Sequence, residues 1–249
     1  MKSPWFYAPS IPEIGHSFEL ESDEARHASK AARLKVGDSA TVGNGVGLTA
    51  PVILEEIHRS RVRVRVESIE RAEPRHPEFH LASALPKGDR LATLLSMATQ
   101  VGFTSFTPLT CERSVALPSQ ATPDRWSRVV REAGKQSRQA WLPEIKPATT
   151  PAVFSDTRPS GAKLLLMDPS GEFISEWLRR ASQDPPPSIY VLIGPEGGFT
   201  QAEIEHTIQK GAELTAVATG ILRIETAAVA TLSRLAELSE ARPGHSPPT

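Results

Sequence analysis

This sequence has a single cysteine, almost no net charge and no long apolar run. The single cysteine, Cys111, excludes an internal disulfide framework and a cysteine-based metal cluster. We expect it to be a small buried hydrophobic residue, with a catalytic thiol as the alternative. No apolar run approaches the length of a membrane span, and acidic side chains come early in the chain. We therefore expect a cytoplasmic protein with no membrane span and no signal peptide.

The charge of the chain is nearly balanced. Its 249 residues include 28 basic and 29 acidic side chains, a formal net charge of −1. Dividing the chain near residue 73 makes neither part strongly basic. A nucleic-acid site would therefore have to be a local basic patch, because no overall positive field attracts RNA. The length is sufficient for one large or two modest domains, each with its own core.

The N-terminal third is predicted to be a small β-barrel. Short apolar runs are separated by turn residues at 37–38, at 43–47 and at Pro51. One helix is expected to interrupt the strands over residues 22–34, with His27 on one of its sides.

The clearest strand in the sequence is the alternating run Arg-Val-Arg-Val-Arg-Val at 61–66. Strict alternation places Arg61, Arg63 and Arg65 on one face and three valines on the other, which must face a core. The arginines are then a basic stripe that could follow RNA phosphates, or simply a solvated face. Both interpretations are open.

A linker is predicted at 72–79, where prolines interrupt the pattern. His76 and His80 within and after it are four residues apart, but Pro77 disfavours a helix between them. We therefore expect no metal site.

A second basic feature is a predicted helix that begins near Pro123. Basic side chains recur along it every three or four residues, opposite Trp126 and other apolar residues. They are Arg125, Arg128, Arg131, Lys135 and Arg138. Because few acidic side chains dilute this face, an RNA-backbone contact is favoured over a solvated surface.

Two glycine-containing loops organise the C-terminal part. A buried strand and loop at 189–199 lead into a helix that Thr200 and Glu203 begin as a capping box. A second strand and loop at 214–227 lead into a helix that ends near residue 238. In an open parallel sheet, loops at the carboxyl ends of neighbouring strands form the usual ligand crevice. The pattern predicts an α/β domain with such a crevice.

The first loop limits what this crevice could bind. The sequence Gly194-Pro195-Glu196-Gly197-Gly198 is not a dinucleotide fingerprint, and its carboxylate would repel a pyrophosphate. A ligand with positive charge and an adenine-like face, held mainly by backbone groups, fits better. A simple tight turn remains an alternative, as does a dinucleotide oxidoreductase, although the latter lacks its fingerprint.

The two loops together closely resemble the signature of the ribosomal RNA small subunit methyltransferase E family. The matching stretches are Leu-Ile-Gly-Pro-Glu-Gly-Gly-Phe at 192–199 and Ile-Leu-Arg-Ile-Glu-Thr-Ala at 221–227. Further similarity, in the same order, covers 86–90, 111–114 and 143–145, so it extends over nearly the whole chain. Members of this family are knotted SPOUT-type enzymes that use S-adenosylmethionine to methylate N3 of a uridine in 16S rRNA.

The resemblance implies a PUA-like RNA-binding β-barrel at 1–73 and a SPOUT α/β domain with a deep trefoil knot at 78–241. The tail at 242–249 is expected to be disordered. A homodimer, with 16S rRNA or the small ribosomal subunit as partner, is also implied. So is S-adenosylmethionine as cofactor.

The resemblance also implies site residues. The cofactor-binding residues would be Met167, Asp168, Ile193, Gly194, Pro195, Glu196, Gly197, Gly198, Ala218, Gly220, Ile221, Leu222, Arg223, Thr226 and Ala227. Arg223 would stabilise the uridine anion or orient a phosphate, and Glu225 is the candidate proton acceptor. A structural pair at the helix start is the alternative for both residues.

For RNA contacts, the resemblance adds Arg33 and Arg113 to the residues that the basic faces already suggest, which are Arg61, Arg63, Arg65, Arg131, Lys135 and Arg138. For Arg113, a phosphate contact and a surface salt bridge are both open.

The chain departs from the family pattern at two places. The family's Gln-Ser-Gly-Arg motif is here Gln-Ser-Arg-Gln at 136–139, which moves the arginine to position 138. Where the family has Leu-Gly-x-Arg, this chain has Val-Ala-Thr-Gly at 217–220, so the first arginine is missing. A non-catalytic RNA-binding paralogue on the same scaffold is therefore the alternative function.

Overall fold

A computed structural model of the protein describes residues 3–21, 23–25, 34–58, 61–117 and 123–240. The chain divides into two compact units. The first comprises Met1–Pro74 together with Arg131–Leu142, and the second comprises Arg75–Val130 and Pro143–Thr249. The predicted division at residues 73 to 78 did not assign residues 131–142 to the first unit.

The first unit is built on a six-stranded sheet. Its strands are β1 (Trp5–Tyr7), β2 (Ser17–Glu19), β3 (Ser39–Gly43), β4 (Leu48–His58), β5 (Arg61–Val66) and β6 (Glu70–Arg71). They are ordered β1-β3-β4-β5-β2, and β6 pairs with β4. All pairs are antiparallel except β1 with β3. The predicted N-terminal β-domain is confirmed.

The core of this unit follows from alternation along the strands. Val62, Val64 and Val66 of β5 are completely buried against Phe6 and Leu54. The predicted two-faced strand is therefore confirmed.

The helix expected over residues 22–34 is described only at 23–25, where the backbone is helical. The rest of that range up to residue 33 lies outside the described residues, and so do His27 and Arg33.

Residues 140–142 belong to the first unit because they pair with the glycine turn at 45–47. The backbone N–H of Gly47 donates to Ala140 at 2.9 Å, and that of Leu142 donates to Gly45 at 2.9 Å. Gly47 has φ 93°, and a Cβ there would lie only 2.5 Å from the Trp141 ring. Glycine is required at this position by both its backbone conformation and the close approach of the indole.

The second unit is a parallel six-stranded sheet with helices between its strands. The strands are β7 (Glu78–Ala84), β8 (Ser105–Leu109), β9 (Glu144–Ile145), β10 (Lys163–Phe173), β11 (Ser188–Ile193) and β12 (Ala212–Ala216), in the order β12-β10-β11-β7-β8-β9. The helices are α1 (Arg90–Val101), α2 (Pro123–Ser137), α3 (Pro151–Asp156), α4 (Ile174–Ala181), α5 (Gln201–Gln209) and α6 (Ile224–Glu240). Of α2, the residues from Arg131 onward belong to the first unit. The predicted α/β domain is confirmed. None of the helices described is long and apolar enough to cross a membrane.

The central strands are apolar throughout because helices cover parallel sheets on both faces. Leu164, Leu165 and Leu166 of β10 and Ile189 and Val191 of β11 are completely buried.

Two local predictions need correction. The apolar run at 214–219 predicts a strand as far as Thr219, but β12 ends at Ala216. The spacing of Ile204 and Ile208 predicts a buried apolar stripe along α5, but Ile208 is 44% exposed and Thr207 faces the interior instead. The capping box of this helix forms as predicted.

Candidate functional site

A cavity of about 440 Å³ lies at the carboxyl ends of β10, β11 and β12. Three segments line it: 167–169 within β10, 193–199 at and after the end of β11, and 215–224 from the end of β12 to the start of α6, without Thr219. Ala227 of α6 completes the wall. The two glycine-containing loops thus meet, as expected for the carboxyl edge of a parallel sheet.

Nearly all residues predicted for the cofactor site line this cavity; Thr226 does not. Six lining residues were missed, namely Pro169, Phe199, Thr215, Ala216, Val217 and Ile224. Four of them directly adjoin a predicted residue, and the other two, Thr215 and Ala216, lie in the strand that leads into the second loop. Extending the site by one to three residues along the chain from each predicted segment would have identified them.

The first loop is a tight turn that depends on its glycines. The N–H of Gly198 donates to Pro195 at 2.8 Å, and Gly198 has φ 70°. A Cβ on Gly194 would lie 3.0 Å from the Phe199 ring. The backbone is therefore close to the cavity, where peptide groups can contact a ligand directly.

Arg113 holds this loop from outside the cavity. Its Nη1 donates to the carbonyl of Gly197 at 2.9 Å and to that of Phe199 at 3.3 Å. This contact is neither the phosphate contact nor the acidic salt bridge that the sequence suggested. Its partners lie more than eighty residues away, so sequence reasoning had no signal for them.

The neighbouring Cys111 is buried. Burial, reinforced by the negative charge of Glu203, raises the pKa of its thiol to about 12, although a hydrogen bond with Ser114 lowers it slightly. The thiol therefore remains protonated at neutral pH and is a poor nucleophile. The predicted structural role of Cys111 agrees with this environment.

The segment 167–169 lies in β10, where the pairing of this strand becomes irregular. Asp168 Oδ1 accepts hydrogen bonds from the Ser170 N–H at 2.8 Å and from Ser170 Oγ at 2.6 Å. The pairing with β12 shifts between Met167 and Glu172, and a Cβ on Gly171 would lie 2.4 Å from the Thr215 nitrogen. The apolar run at 163–167 predicts a strand that ends at Met167, but β10 continues to Phe173. Its bulge brings Met167 and Asp168 to the cavity wall.

In the second loop, Arg223 lies exposed on the cavity wall. Its side chain makes no hydrogen bond or ion pair with any other described residue, while its carbonyl accepts from the Ala227 N–H at 2.9 Å. Gly220 does not have a left-handed backbone, and a Cβ there would meet nothing within 4 Å. A larger side chain would therefore fit at position 220, where the family pattern has arginine.

Glu225 is not on the cavity wall. Its side chain is only 14% exposed, and Oε1 lies 3.7 Å from Nη1 of Arg90, whereas Oε2 is buried without a hydrogen-bond partner among the described residues. Arg90 also lies 3.7 Å from Oε1 of Glu196. Arg90 thus lies next to the cavity residue Glu196, but sequence reasoning assigned it no role. It belongs to the stretch at 86–90 that resembles the family.

The arginine stripe of β5 faces glutamates. Arg61 is 2.8 Å from Glu19, and Arg65 is 3.1 Å from Glu55 and 2.6 Å from Glu67. Arg63 is 3.6 Å from Glu55. These acids partly neutralise the stripe, which weakens the attraction expected for phosphates.

The basic side chains of α2 and its C-terminal end have different environments. Lys135 is 9% exposed, and its Nζ lies 2.6 Å from Glu24 Oε1 and 2.8 Å from Glu132 Oε1. Burial alone would lower the pKa of Lys135, but hydrogen bonds to Glu132 and Glu24 raise it above its ordinary value. The phosphate contact predicted for Lys135 does not agree with this burial. Arg131 stacks over the Tyr7 ring at 4.3 Å.

Arg138 has an unusual backbone. Its φ is 58°, in the left-handed region, and its Nη2 donates to the carbonyl of Ser3 at 2.9 Å. Glycine normally occupies such a position after a helix. The family's Gln-Ser-Gly-Arg motif has glycine at the equivalent position, so the displaced arginine is accommodated here in a strained conformation.

Two domain-family models match the chain. One described as an RNA methyltransferase PUA domain covers residues 20–67, and one described as an RNA methyltransferase domain covers residues 73–236.

Proteins named ribosomal RNA small subunit methyltransferase E are similar over most of the chain. The one from Rickettsia conorii is 31% identical, covering 94% of this chain and 96% of that protein. The one from Mycobacterium tuberculosis is 29% identical, covering 94% and 91%.

Solved structures share the fold. A ribosomal RNA small subunit methyltransferase E from Neisseria gonorrhoeae, bound to S-adenosyl methionine, superposes with a TM-score of 0.86 at 23% identity, covering 95% of this chain and 98% of that one. A Legionella pneumophila protein in complex with the bound cofactor SAM gives a TM-score of 0.84 at 26% identity, covering 97% and 98%.

Proposed function

Because this chain belongs to the ribosomal RNA small subunit methyltransferase E family, we propose that it uses S-adenosylmethionine to methylate N3 of a uridine in 16S rRNA. The observation that carries the proposal is the meeting of the two signature loops around one cavity at the carboxyl edge of a parallel sheet. Neither loop forms the site alone.

The cavity suits the cofactor in size and chemistry. Its volume of about 440 Å³ lies within the range of small-molecule pockets, roughly 300–1,000 Å³. Met167, Ile193 and Leu222 provide apolar wall for an adenine ring, and the glycine loop provides backbone groups. The carboxylates of Glu196 and Asp168 provide negative charge for a cationic ligand. When bound there, the cofactor would supply an electrophilic methyl group on a sulfonium.

The reacting nitrogen of uridine must lose its proton as the new bond from N3 to the methyl carbon forms, leaving S-adenosylhomocysteine. Either a base or a cation that stabilises the uridine anion can assist this step. Arg223 is suited to the second role because its guanidinium is exposed on the cavity wall and has no partner among the described residues. A uridine within a helix would first have to be extruded.

Glu225 is less well placed to accept the proton. To reach a uridine in the cavity, its carboxylate would have to leave Arg90. We therefore favour the structural alternative, in which Glu225 is a favourable charge near the start of α6.

Replacing Arg223 with alanine tests the catalytic assignment. We expect methylation of small ribosomal subunits to fall by at least about 100-fold, as on loss of one stabilising donor. Binding of S-adenosylmethionine, measured by calorimetry, should remain. Arg234→Ala is the matched control, because Arg234 lies on α6, the helix that follows Arg223, and pairs with Glu237. Undiminished turnover by Arg223→Ala would remove this role.

A non-catalytic RNA-binding paralogue is the second candidate, favoured by Gly220 at the position of the family's arginine. Mass spectrometry of 16S rRNA from a strain lacking the protein separates the two. A missing N3-methyluridine, restored by the intact gene, supports the enzyme. Unchanged rRNA from that strain supports the paralogue.

The family also leads us to propose a homodimer with the cofactor site near its interface, and a trefoil knot in the C-terminal domain. With a ribosomal substrate, the protein would act in the cytoplasm. Light scattering of the purified protein tests the dimer, since a monomeric mass at micromolar concentration would contradict it.

A further inference from the structure

The segment 111–114 follows β8 and does not line the cavity, yet it is connected to the loop that does. Arg113 Nη1 donates to the carbonyls of Gly197 and Phe199, at 2.9 and 3.3 Å. Both of these residues lie on the cavity wall. A single guanidinium therefore holds two peptide groups of the glycine loop.

A second connection runs through Glu203. Its Oε1 accepts a hydrogen bond from the Glu112 N–H at 3.0 Å, while its Oε2 accepts one from the Thr200 N–H at 2.8 Å. The same carboxylate thus begins α5 and fixes the segment that carries Arg113.

The segment itself is held in place. The Ser114 N–H donates to the Cys111 carbonyl at 3.0 Å, and Ser114 Oγ accepts from the Cys111 N–H at 2.9 Å. Cys111, the first residue of this turn, is buried. Arg113 therefore projects from a closed turn, which limits the conformations available to the segment.

These contacts fix the orientation of the loop's peptide planes. The C=O and N–H of a trans peptide point in opposite directions. With the Gly197 carbonyl turned toward Arg113, the Gly198 N–H is directed toward Pro195, to which it donates at 2.8 Å. Likewise, the Phe199 carbonyl faces Arg113 while the Thr200 N–H donates to Glu203. Flipping either peptide would break two hydrogen bonds: the charge-assisted bond from Arg113 to its carbonyl and the bond that its N–H donates.

We propose that Arg113 is a positioning residue for the cofactor loop and not an RNA-phosphate contact. This rests on the proposed function, because the loop is taken to bind S-adenosylmethionine. Arg113 acts through Gly197 and Phe199, holding the loop in the conformation that the ligand meets. Preorganisation of this kind lowers the ordering cost of binding.

Calorimetry with S-adenosylmethionine in the absence of RNA tests the proposal. We expect Arg113→Ala to weaken binding about tenfold, as for loss of charge-assisted hydrogen bonds that order the loop. Arg113→Lys should recover only part of the affinity, because an ammonium lacks the planar fork of a guanidinium. Affinity for a 16S rRNA fragment, and its dependence on salt concentration, should be unchanged in both variants.

Arg128→Ala is the matched control. Arg128 is exposed on α2 and makes no ion pair with another described residue. Its replacement should leave S-adenosylmethionine affinity unchanged. Thermal unfolding of each variant verifies that it is folded, and if Arg113→Ala does not fold, Arg113→Lys provides the measurement.

The possible outcomes distinguish failure of the positioning role from failure of the proposed function. If the unaltered protein binds S-adenosylmethionine and both Arg113 variants bind it equally well, the positioning role is overturned while the proposed function stands. A loss of RNA affinity with a reduced salt dependence, at constant cofactor affinity, would identify Arg113 as a phosphate contact instead. If the unaltered protein does not bind the cofactor at all, the proposed function and the positioning role both fail.

Discussion

Replacing Lys135 with methionine should destabilise the first unit and leave RNA binding intact. The Lys135 ammonium is 2.6 Å from Glu24, and the two side chains are only 9% and 5% exposed. Glu24 Oε2 is already without a hydrogen-bond partner among the described residues. Methionine preserves the apolar stem of the lysine side chain but leaves the Glu24 carboxylate buried and uncompensated.

The expected loss follows from this burial. Removing one partner of a buried ion pair costs about 3–5 kcal/mol. The second partner of Lys135, Glu132, is exposed, so its share is small, on the order of 0–1 kcal/mol. We expect a loss of about 3 kcal/mol, which is a large part of the roughly 5–15 kcal/mol that stabilises a typical domain.

Urea unfolding, followed by circular dichroism, measures this loss. With a slope of roughly 1–3 kcal/mol per molar urea, the midpoint should fall by about 1–3 M. The double variant Glu24→Met/Lys135→Met should recover most of the stability, because two apolar side chains then replace the ion pair. This recovery would distinguish an unpaired charge from a simple loss of packing.

Arg128→Ala provides the contrast on the same helix. It should change stability by no more than about 0.5 kcal/mol, as for an exposed surface residue, while any phosphate contact would appear as weaker RNA binding. The reasoning about Lys135 is refuted if Lys135→Met retains the unfolding midpoint and loses RNA affinity.

Two further predictions concern single residues. Arg138→Gly should stabilise the protein by about 0.5–1 kcal/mol, because relief of the left-handed backbone exceeds the entropy cost of glycine. Arg138→Val should lower stability, and the two urea midpoints in the reverse order would contradict the strain. The Cys111 thiol, with a pKa of about 12, should not react with iodoacetamide in the native protein at pH 8 but should react in urea. Rapid native labelling would exclude this buried, protonated state.

Local sequence patterns predicted a strand or a helix start correctly where residues close in sequence determine which side chains are buried or hydrogen-bonded. The alternation at 61–66 predicted a strand with three buried valines, as found. The Thr200 and Glu203 pattern predicted the start of α5, and both hydrogen bonds of the capping box are present. In such cases the interacting groups are close in sequence, and one backbone geometry satisfies them.

The same reasoning was less reliable for side-chain partners. The basic residues of α2 and β5 were considered as RNA contacts because their spacing places them on common faces. Spacing does not show which acids come from other strands. Glu24 lies 111 residues from Lys135, and the carbonyl of Gly197 lies 84 residues from Arg113.

Sequence alone predicted the two signature loops, the order of strands and helices that carries them, and fourteen of the twenty residues of the cavity wall. The loops and the order of elements follow from local backbone preferences and from parallel strands ending at one edge of a sheet, whereas the wall residues follow from the resemblance to the family. Only the tertiary structure decided which charged side chains are free. Arg223 remains unpaired among the described residues. Arg113 donates to a backbone carbonyl, and Lys135 pairs with Glu24. The physical reason is that a charged side chain interacts with whichever polar group folding brings within a few ångströms, however far apart the two residues are in sequence.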